Sequence, residues 1–297
     1  MRLSAVSAVV TGAAGGIGTP LCRRLLAAGA RVLMVGRDAG RLSALARELA
    51  ATPMPAPPGS RAAGRGPEPA GCPDAARDRV DVLAVDLTAP GARLAVRDAA
   101  FARRVNVLVN GAAIPSFGPF ESLDDEHLQR VIATDLVAPI ALTRLLLPVL
   151  STGSEAAILN IGSTLGSIGM PGFTVYGAAK SGMRAFSEAL RRELAETGVR
   201  VQFLGARATR TDFNDARVAA FNRSTGTRCD LPDKVAAAAV DLLESGRAVR
   251  FIGMPERLLV PLNGLAPAWL DRGFRLHRRA LARDEVAPAI EPSKEFE

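Results

Sequence analysis

Apolar residues recur along this chain in two rhythms. Short continuous runs rich in valine, leucine and isoleucine occur at residues 4–10, 30–38, 81–87, 106–114, 155–163, 199–205 and 249–253. Such runs predict strands buried on both faces, as in a parallel sheet. Between them stand longer stretches with helical spacing: 20–30, 39–50, 127–150, 176–197 and 232–246, the last opened by Pro232 and Asp233. Strands alternating with helices predict an α/β fold, a single doubly wound parallel sheet of about seven strands with helices on both faces. In such a sheet ligands sit beyond the carboxyl ends of the strands. Thr11, Asn110, Ser163 and Thr211 fall at or just past such ends.

Two stretches break the alternation. Residues 51–79 are dense in Pro, Gly and Ala and carry no periodicity, which predicts a flexible loop inserted between a helix and the next strand. Beyond residue 254 the sheet pattern is spent. We therefore expect a sheet domain over 1–254 and a dependent extension over 255–297. Within 258–284, Leu270, Phe274, His277 and Leu281 share one helical stripe, and Arg272, Arg275, Arg278, Arg279 and Arg283 lie largely elsewhere. A basic amphipathic helix of this kind can pack on a subunit, lid a site or lie on an anionic membrane, packing being the commonest outcome.

Composition narrows the choices. The chain has 297 residues, 48% apolar and 23% charged, as in an ordinary globular protein. Its formal charge of +7 comes from scattered arginines, with only 4% aromatic residues and no nucleic-acid module, so no nucleic-acid partner is expected. Cys22, Cys72 and Cys229 have neither metal nor disulfide spacing, which favours free thiols in a reducing compartment and no metal site. No apolar run approaches the ~18 residues that span a bilayer, and no cleavable leader precedes the first strand, so a cytoplasmic location is expected.

The candidate chemistry begins with TGAAGGIG, residues 11–18, set between the first strand and first helix. A glycine-rich turn lets the backbone approach a pyrophosphate, and the helix N-terminus offers free N–H groups. Gly12, Ala14, Gly16, Ile17 and Gly18 are the residues concerned. At the end of the second strand, where an acid would hold a ribose 2′-hydroxyl, stand Gly36 and Arg37. That favours NADP(H) over NAD(H), with Arg37 on the 2′-phosphate and Asp38 as the competing candidate. Asp86, at the third strand's end, can touch the adenine edge or cap the next turn. Tyr176 is the only tyrosine, and Lys180, four residues on, is one of three lysines. That spacing puts both on one helix face, where the cation is expected to lower the phenol's pKa.

Taken together, TGAAGGIG, Asp86–Leu87, LVNGAA at 108–113, Ser163 thirteen residues before Tyr176, and YGAAK resemble the short-chain dehydrogenase/reductase family over residues 4–253. The resemblance implies a Rossmann-type sheet and an NAD(P)-dependent oxidoreductase. It implies that Tyr176 donates or accepts the proton at a carbonyl or alcohol oxygen. Ser163 would steady that oxygen, and Lys180 would bind the nicotinamide ribose. It further implies that Gly12, Ala14, Gly16, Ile17, Gly18, Asp86, Leu87, Asn110, Tyr176, Lys180 and Thr211 contact the cofactor. The chain departs from the pattern at Gly111 and Ala113, at Asp135, where the family places a relay asparagine, and at Ala206–Arg207 in place of Pro-Gly. Asp135 adds a negative charge that should raise the Lys180 pKa.

Phe117, Phe120, Phe173, Phe213 and Phe221 are candidate apolar walls, which favours a hydrophobic substrate of ketone or 3-oxoacyl type. The family habit implies a homodimer or homotetramer. The tail remains a candidate for peripheral membrane contact. Asp135 and Arg207 also motivate an alternative, a cofactor-binding regulator or scaffold of the same fold with impaired catalysis. His127 and His277 are expected to be packed or surface residues.

Overall fold

The computed structural model describes residues 1–51, 79–152, 155–271 and 273–284. The insertion expected at 51–79 falls almost wholly outside the described residues. Seven strands form one sheet: β1 (Ser7–Thr11), β2 (Arg31–Gly36), β3 (Val80–Ala84), β4 (Val107–Asn110), β5 (Ala156–Ser163), β6 (Val199–Ala206) and β7 (Val249–Phe251). Every pairing is parallel, and the spatial order is β3-β2-β1-β4-β5-β6-β7. The order reverses between β1 and β4, and the crevice above that switch point is where ligands of such sheets bind.

Helices cover both faces because parallel strands are joined by crossovers. On one face lie α1 (Gly18–Ala27), α2 (Ala39–Ala51) and α8 (Pro232–Ser245). Leu21, Leu25, Leu42 and Leu242 are fully buried there against Val10, Val32 and Met34. On the other face lie α3 (Pro90–Ala102), α5 (Ala138–Leu150) and α6 (Thr174–Glu193). Val96, Leu142, Leu146 and Leu190 pack there on Val9, Leu108 and Ile158. Burying a leucine of this kind stabilises the fold by about 1.5–3 kcal/mol.

The boundaries differ from expectation where chemistry intervenes. The third strand ends at Ala84, because Asp86 has turned to cap: its Oδ1 accepts from the Thr88 N–H at 2.9 Å and hydroxyl at 2.8 Å. The fourth strand stops at Asn110. The long helix expected at 127–150 is two helices, α4 (Asp125–Ile132) and α5, joined without a break by one π turn at Ala133–Val137. As a unit of 26 residues, Asp125–Leu150 is long and apolar enough to cross a membrane by length and composition. This amends the expectation of no such segment, although its Leu142, Leu146 and Leu150 are buried against the sheet.

The tail forms three short helices after α7 (Ala216–Ser224) and α8, in place of one stripe. They are α9 (Met254–Leu265), α10 (Pro267–Asp271) and α11 (Arg275–Asp284). Proline at 267 cannot continue α9, and its ring disfavours helical backbone at Ala266, whose φ of −146° and ψ of 68° are not helical. Side-chain bonds then fold the tail back over the sheet. Asn263 donates to the Ser167 carbonyl at 2.8 Å, and Arg207 pairs with Glu256 at 3.5 Å.

Candidate active site

Thr11 closes the switch point. Its hydroxyl donates to the Val109 carbonyl at 3.3 Å and accepts from the N–H groups of Gly111 and Ala112 at 3.0 and 3.1 Å. That tie draws the ends of β1 and β4 together, and only glycine fits beside it. Gly12 has φ +68°, and a Cβ there would lie 2.8 Å from the Gly111 oxygen. At Gly16 a Cβ would lie 2.2 Å from the Thr211 side chain, so the loop after β6 rests on this turn. Helix α1 begins with no side-chain cap, and Gly16, Ile17 and Gly18 line the cavity above it. An uncapped helix start on a glycine turn suits a phosphate group, so the residues present fit a dinucleotide.

The cavity measures about 610 Å³ and runs from this turn to the tail. Ser163, Tyr176 and Lys180 line it together. β5 delivers Ser163, whose hydroxyl accepts from the Leu165 N–H at 3.1 Å and which faces the same cavity as Tyr176. One turn along α6 from Tyr176, the Lys180 ammonium stands 5.3 Å from the centre of the tyrosine ring. Behind it, on the π turn, Asp135 pairs with Lys180 at 3.0 Å, with side-chain exposures of 0% and 5%. The other Asp135 oxygen accepts from the Ile114 N–H at 2.8 Å. A π turn shifts the helix register by one residue, and such turns recur at functional sites.

The electrostatics correct one expectation. Burial raises the phenol pKa of Tyr176, the Lys180 charge opposes that rise, and the Asp135 carboxylate adds to it. The net direction is upward, so the lowering effect of the lysine operates against a larger desolvation cost. Lys180 is held above its ordinary value: burial pulls it down, and Asp135 with Tyr176 outweighs that pull. Burial pushes Asp135 up against the same ion pair.

Several residues expected at the cofactor lie apart from the cavity lining. Asn110 turns its amide into the core, donating to Thr143 at 3.1 Å and Asn160 at 2.8 Å. Asp86 caps its turn, Leu87 is buried in the core, and Arg37 is exposed nearby. Ala14 presents its carbonyl to the Arg41 guanidinium at 3.2 Å. Arg41 was missed by sequence reasoning, and only its place one helical turn beyond Asp38 could have flagged it. Asp38 itself caps α2, accepting from the Arg41 N–H at 2.9 Å. Arg207, which stands where the family has Pro-Gly, lines the cavity with its charge engaged by an acid. It makes a bidentate pair with Asp230, both bonds 2.8 Å.

Of the five expected apolar walls, Phe173 and Phe213 line the cavity. Phe213 lies 5.7 Å from the Tyr176 ring. Phe117 and Phe221 stand behind Phe173, at 4.9 and 6.0 Å between ring centres. Phe120 is 59% exposed and lies elsewhere. The unforeseen part is the roof: Leu259, Phe274 and His277 line the cavity from the tail. His277 packs edge-on against Phe221 at 5.7 Å and Phe274 at 5.2 Å.

A parallel sheet ordered 3-2-1-4-5-6-7, a glycine turn at its switch point and a Ser–Tyr–Lys group over β5 define a nucleotide-dependent oxidoreductase fold. The family model for short chain dehydrogenase matches residues 7–57 and 65–221, and the chain belongs to that family, whose members use NAD(P) to act on CH–OH groups. The chain is 31% identical to nodulation protein G of Rhizobium sp. (strain N33), over 85% of this chain and 94% of that protein. It is also 31% identical to dehydrogenase/reductase SDR family member 7B of Bos taurus, over 65% of this chain. It spans 54%, about half, of that relative's length. A short-chain dehydrogenase structure from Streptomyces avermitilis shares the fold, with a TM-score of 0.72 at 23% identity, covering 93% of this chain and 98% of that one.

Proposed function

We propose that this protein is an NADP(H)-dependent reductase that interconverts a carbonyl and a secondary alcohol on a hydrophobic substrate. The convergence of Ser163, Tyr176 and Lys180 in one cavity, with Asp135 paired behind the lysine, carries the reading. When bound, the cofactor supplies or accepts the hydride. Tyr176, protonated at neutral pH because its pKa is raised, gives its proton to the carbonyl oxygen in reduction. Ser163 donates to the same oxygen and stabilises the charge that develops there. Lys180, kept charged by Asp135, holds the ribose hydroxyls and limits the cost of forming a phenolate. Asp135 thus serves as a positioning residue through Lys180.

Preference for NADP(H) is supported by Arg37, just past β2, and Arg41, in the first turn of α2. The two acids nearby are committed elsewhere, Asp38 to the cap of α2 and Asp86 to Thr88. An arginine fork suits a phosphate dianion. The hydrophobic substrate is supported by Ile168, Met170, Phe173, Phe213 and Phe274 around Tyr176. Assembly as a homodimer or homotetramer follows the family habit.

The test is oxidation of NADPH, with NADH as control, against a panel of ketones and 3-oxoacyl thioesters. Turnover with NADPH that vanishes in Tyr176→Phe is expected. NADPH binding with no turnover across the panel would instead identify a cofactor-binding regulator.

A further inference from the structure

A second depression of about 760 Å³ opens beside the first, on the far side of the loop after β6. No residue of the glycine turn lines it, although Thr211, against which Gly16 packs, does, so it adjoins the cofactor cradle. Seven residues, among them Arg207, Thr211, Asn222 and Arg228, line both it and the Tyr176 cavity, and the two are therefore continuous. Arg210 and Arg223 complete its cationic wall, and Asp212 is the one acid among its lining residues. The fourth basic group, Arg207, is already neutralised by Asp230 and Glu256. Among the described residues, none of Arg210, Arg223 and Arg228 has an acidic partner within ion-pair distance, so their charges face the depression uncompensated. At the junction sits Asn222, 6% exposed, its side-chain amide without a hydrogen-bond partner among the described residues. Asn222 lines both cavities, so its amide is placed to bond a ligand that passes between them.

Resting on the reductase reading above, we infer that Asn222, Arg210, Arg223 and Arg228 form a phosphate-recognition subsite for the end of the substrate remote from the reacting carbon. The apolar cavity takes the chain that carries the carbonyl. The arginine wall takes a phosphate joined to it through a polar arm, and Asn222 bonds that arm as it passes. Guanidinium forks match phosphate oxygens, and three unpaired cations against one carboxylate favour a multiply charged group over a single carboxylate.

The experiment uses the NADPH-saturated enzyme and three thioesters with the same 3-oxoacyl chain. One is carried on N-acetylcysteamine, which is uncharged; one on 4′-phosphopantetheine, with a single terminal phosphate; one on coenzyme A. Both phosphate-bearing esters are expected to exceed the uncharged ester in kcat/KM by roughly tenfold or more, an advantage that shrinks as salt rises. Equal values for the two phosphate esters assign recognition to a terminal phosphate, and a higher value for coenzyme A assigns it to the nucleotide diphosphate; both support the subsite. The double variant Arg223→Gln/Arg228→Gln is expected to erase most of that advantage, chiefly through KM. Both side chains are exposed, and circular dichroism with NADPH titration checks the variant's fold. Equal kcat/KM for charged and uncharged esters, or an advantage untouched by the variant, would overturn the inference. Should no ester turn over, the reductase reading fails, and calorimetric titration of coenzyme A decides the subsite separately. Binding that weakens roughly tenfold in the double variant supports it, and no binding to the wild-type protein overturns it.

Discussion

The two ends of the cavity are built on different principles. At the glycine turn, backbone does the work: Thr11 ties two strands, Gly12 and Gly16 admit no side chain, and an uncapped helix faces the cavity. At the substrate end, side chains from four separate segments meet: Phe173 before α6, Phe213 after β6, Asn222 on α7 and Phe274 before α11. The first end is fixed by strand pairing and changes little with substitution away from glycine positions. The second depends on tertiary folding of the tail and can change residue by residue. Between them stands Tyr176, whose protonation answers to its burial and to the charges of Lys180 and Asp135.

Experiments can break this contrast, beginning with the largest effect. Tyr176→Phe should lower kcat by about a thousandfold or more while shifting the NADPH Kd by only about twofold, since a positioned acid contributes roughly 10²–10⁴-fold. Steady-state kinetics and fluorescence titration separate the two. Asp135→Ala leaves a buried ammonium without its partner and should cost about 3–5 kcal/mol in urea unfolding. The shape-conserving Asp135→Asn should fold and move the alkaline limb of the reduction profile to lower pH. The reason is that the carboxylate adds to the upward displacement that burial gives Tyr176. An upward move would mean that Lys180 had lost its charge.

At the cofactor end, Arg37→Ala should weaken NADPH by roughly tenfold and leave NADH unchanged, a loss of one charge-assisted bond to phosphate. Equal loss for both cofactors would place Arg37 away from the 2′-phosphate. At the substrate end, Phe274→Ala should raise KM for long-chain substrates several-fold, about 1 kcal/mol of apolar contact, with little change for a short one. The smallest effect concerns acid stability. Burial pushes Asp230 up, but Arg207 and Lys234 outweigh it and hold its pKa below the ordinary carboxylate value. Its contribution is therefore complete above the unfolded value and lost as pH falls through the folded one. Arg207→Ala should flatten that acid loss, read as unfolding free energy against pH.

The same contrast explains what the sequence could disclose. Strand runs, the glycine turn and the Ser163–Tyr176–Lys180 spacing are local patterns, and each appears in the structure where its pattern lies. Asn110 is at the expected strand end, yet its amide serves Thr143 and Asn160, because rotamer choice is settled by neighbours distant in sequence. The π turn under Asp135 leaves no mark on apolar spacing over so few residues. The tail's stripe was real as a pattern but false as a single helix, since Pro267 and Gly273 interrupt it. Its docking on Phe221 and Ser167 involves partners far away along the chain, which periodicity cannot reach.

The roof of the cavity begins after β7 and contributes no strand to the sheet. Substitutions in α9 to α11 can therefore alter what the pocket admits without unpairing any strand or disturbing the glycine turn. In evolutionary terms the protein separates its inheritance: a sheet that must be kept, and a cover that is free to diverge. Proteins descended from a common ancestor would be expected to differ first in that cover, and to acquire new substrates there while using the cofactor in the same way.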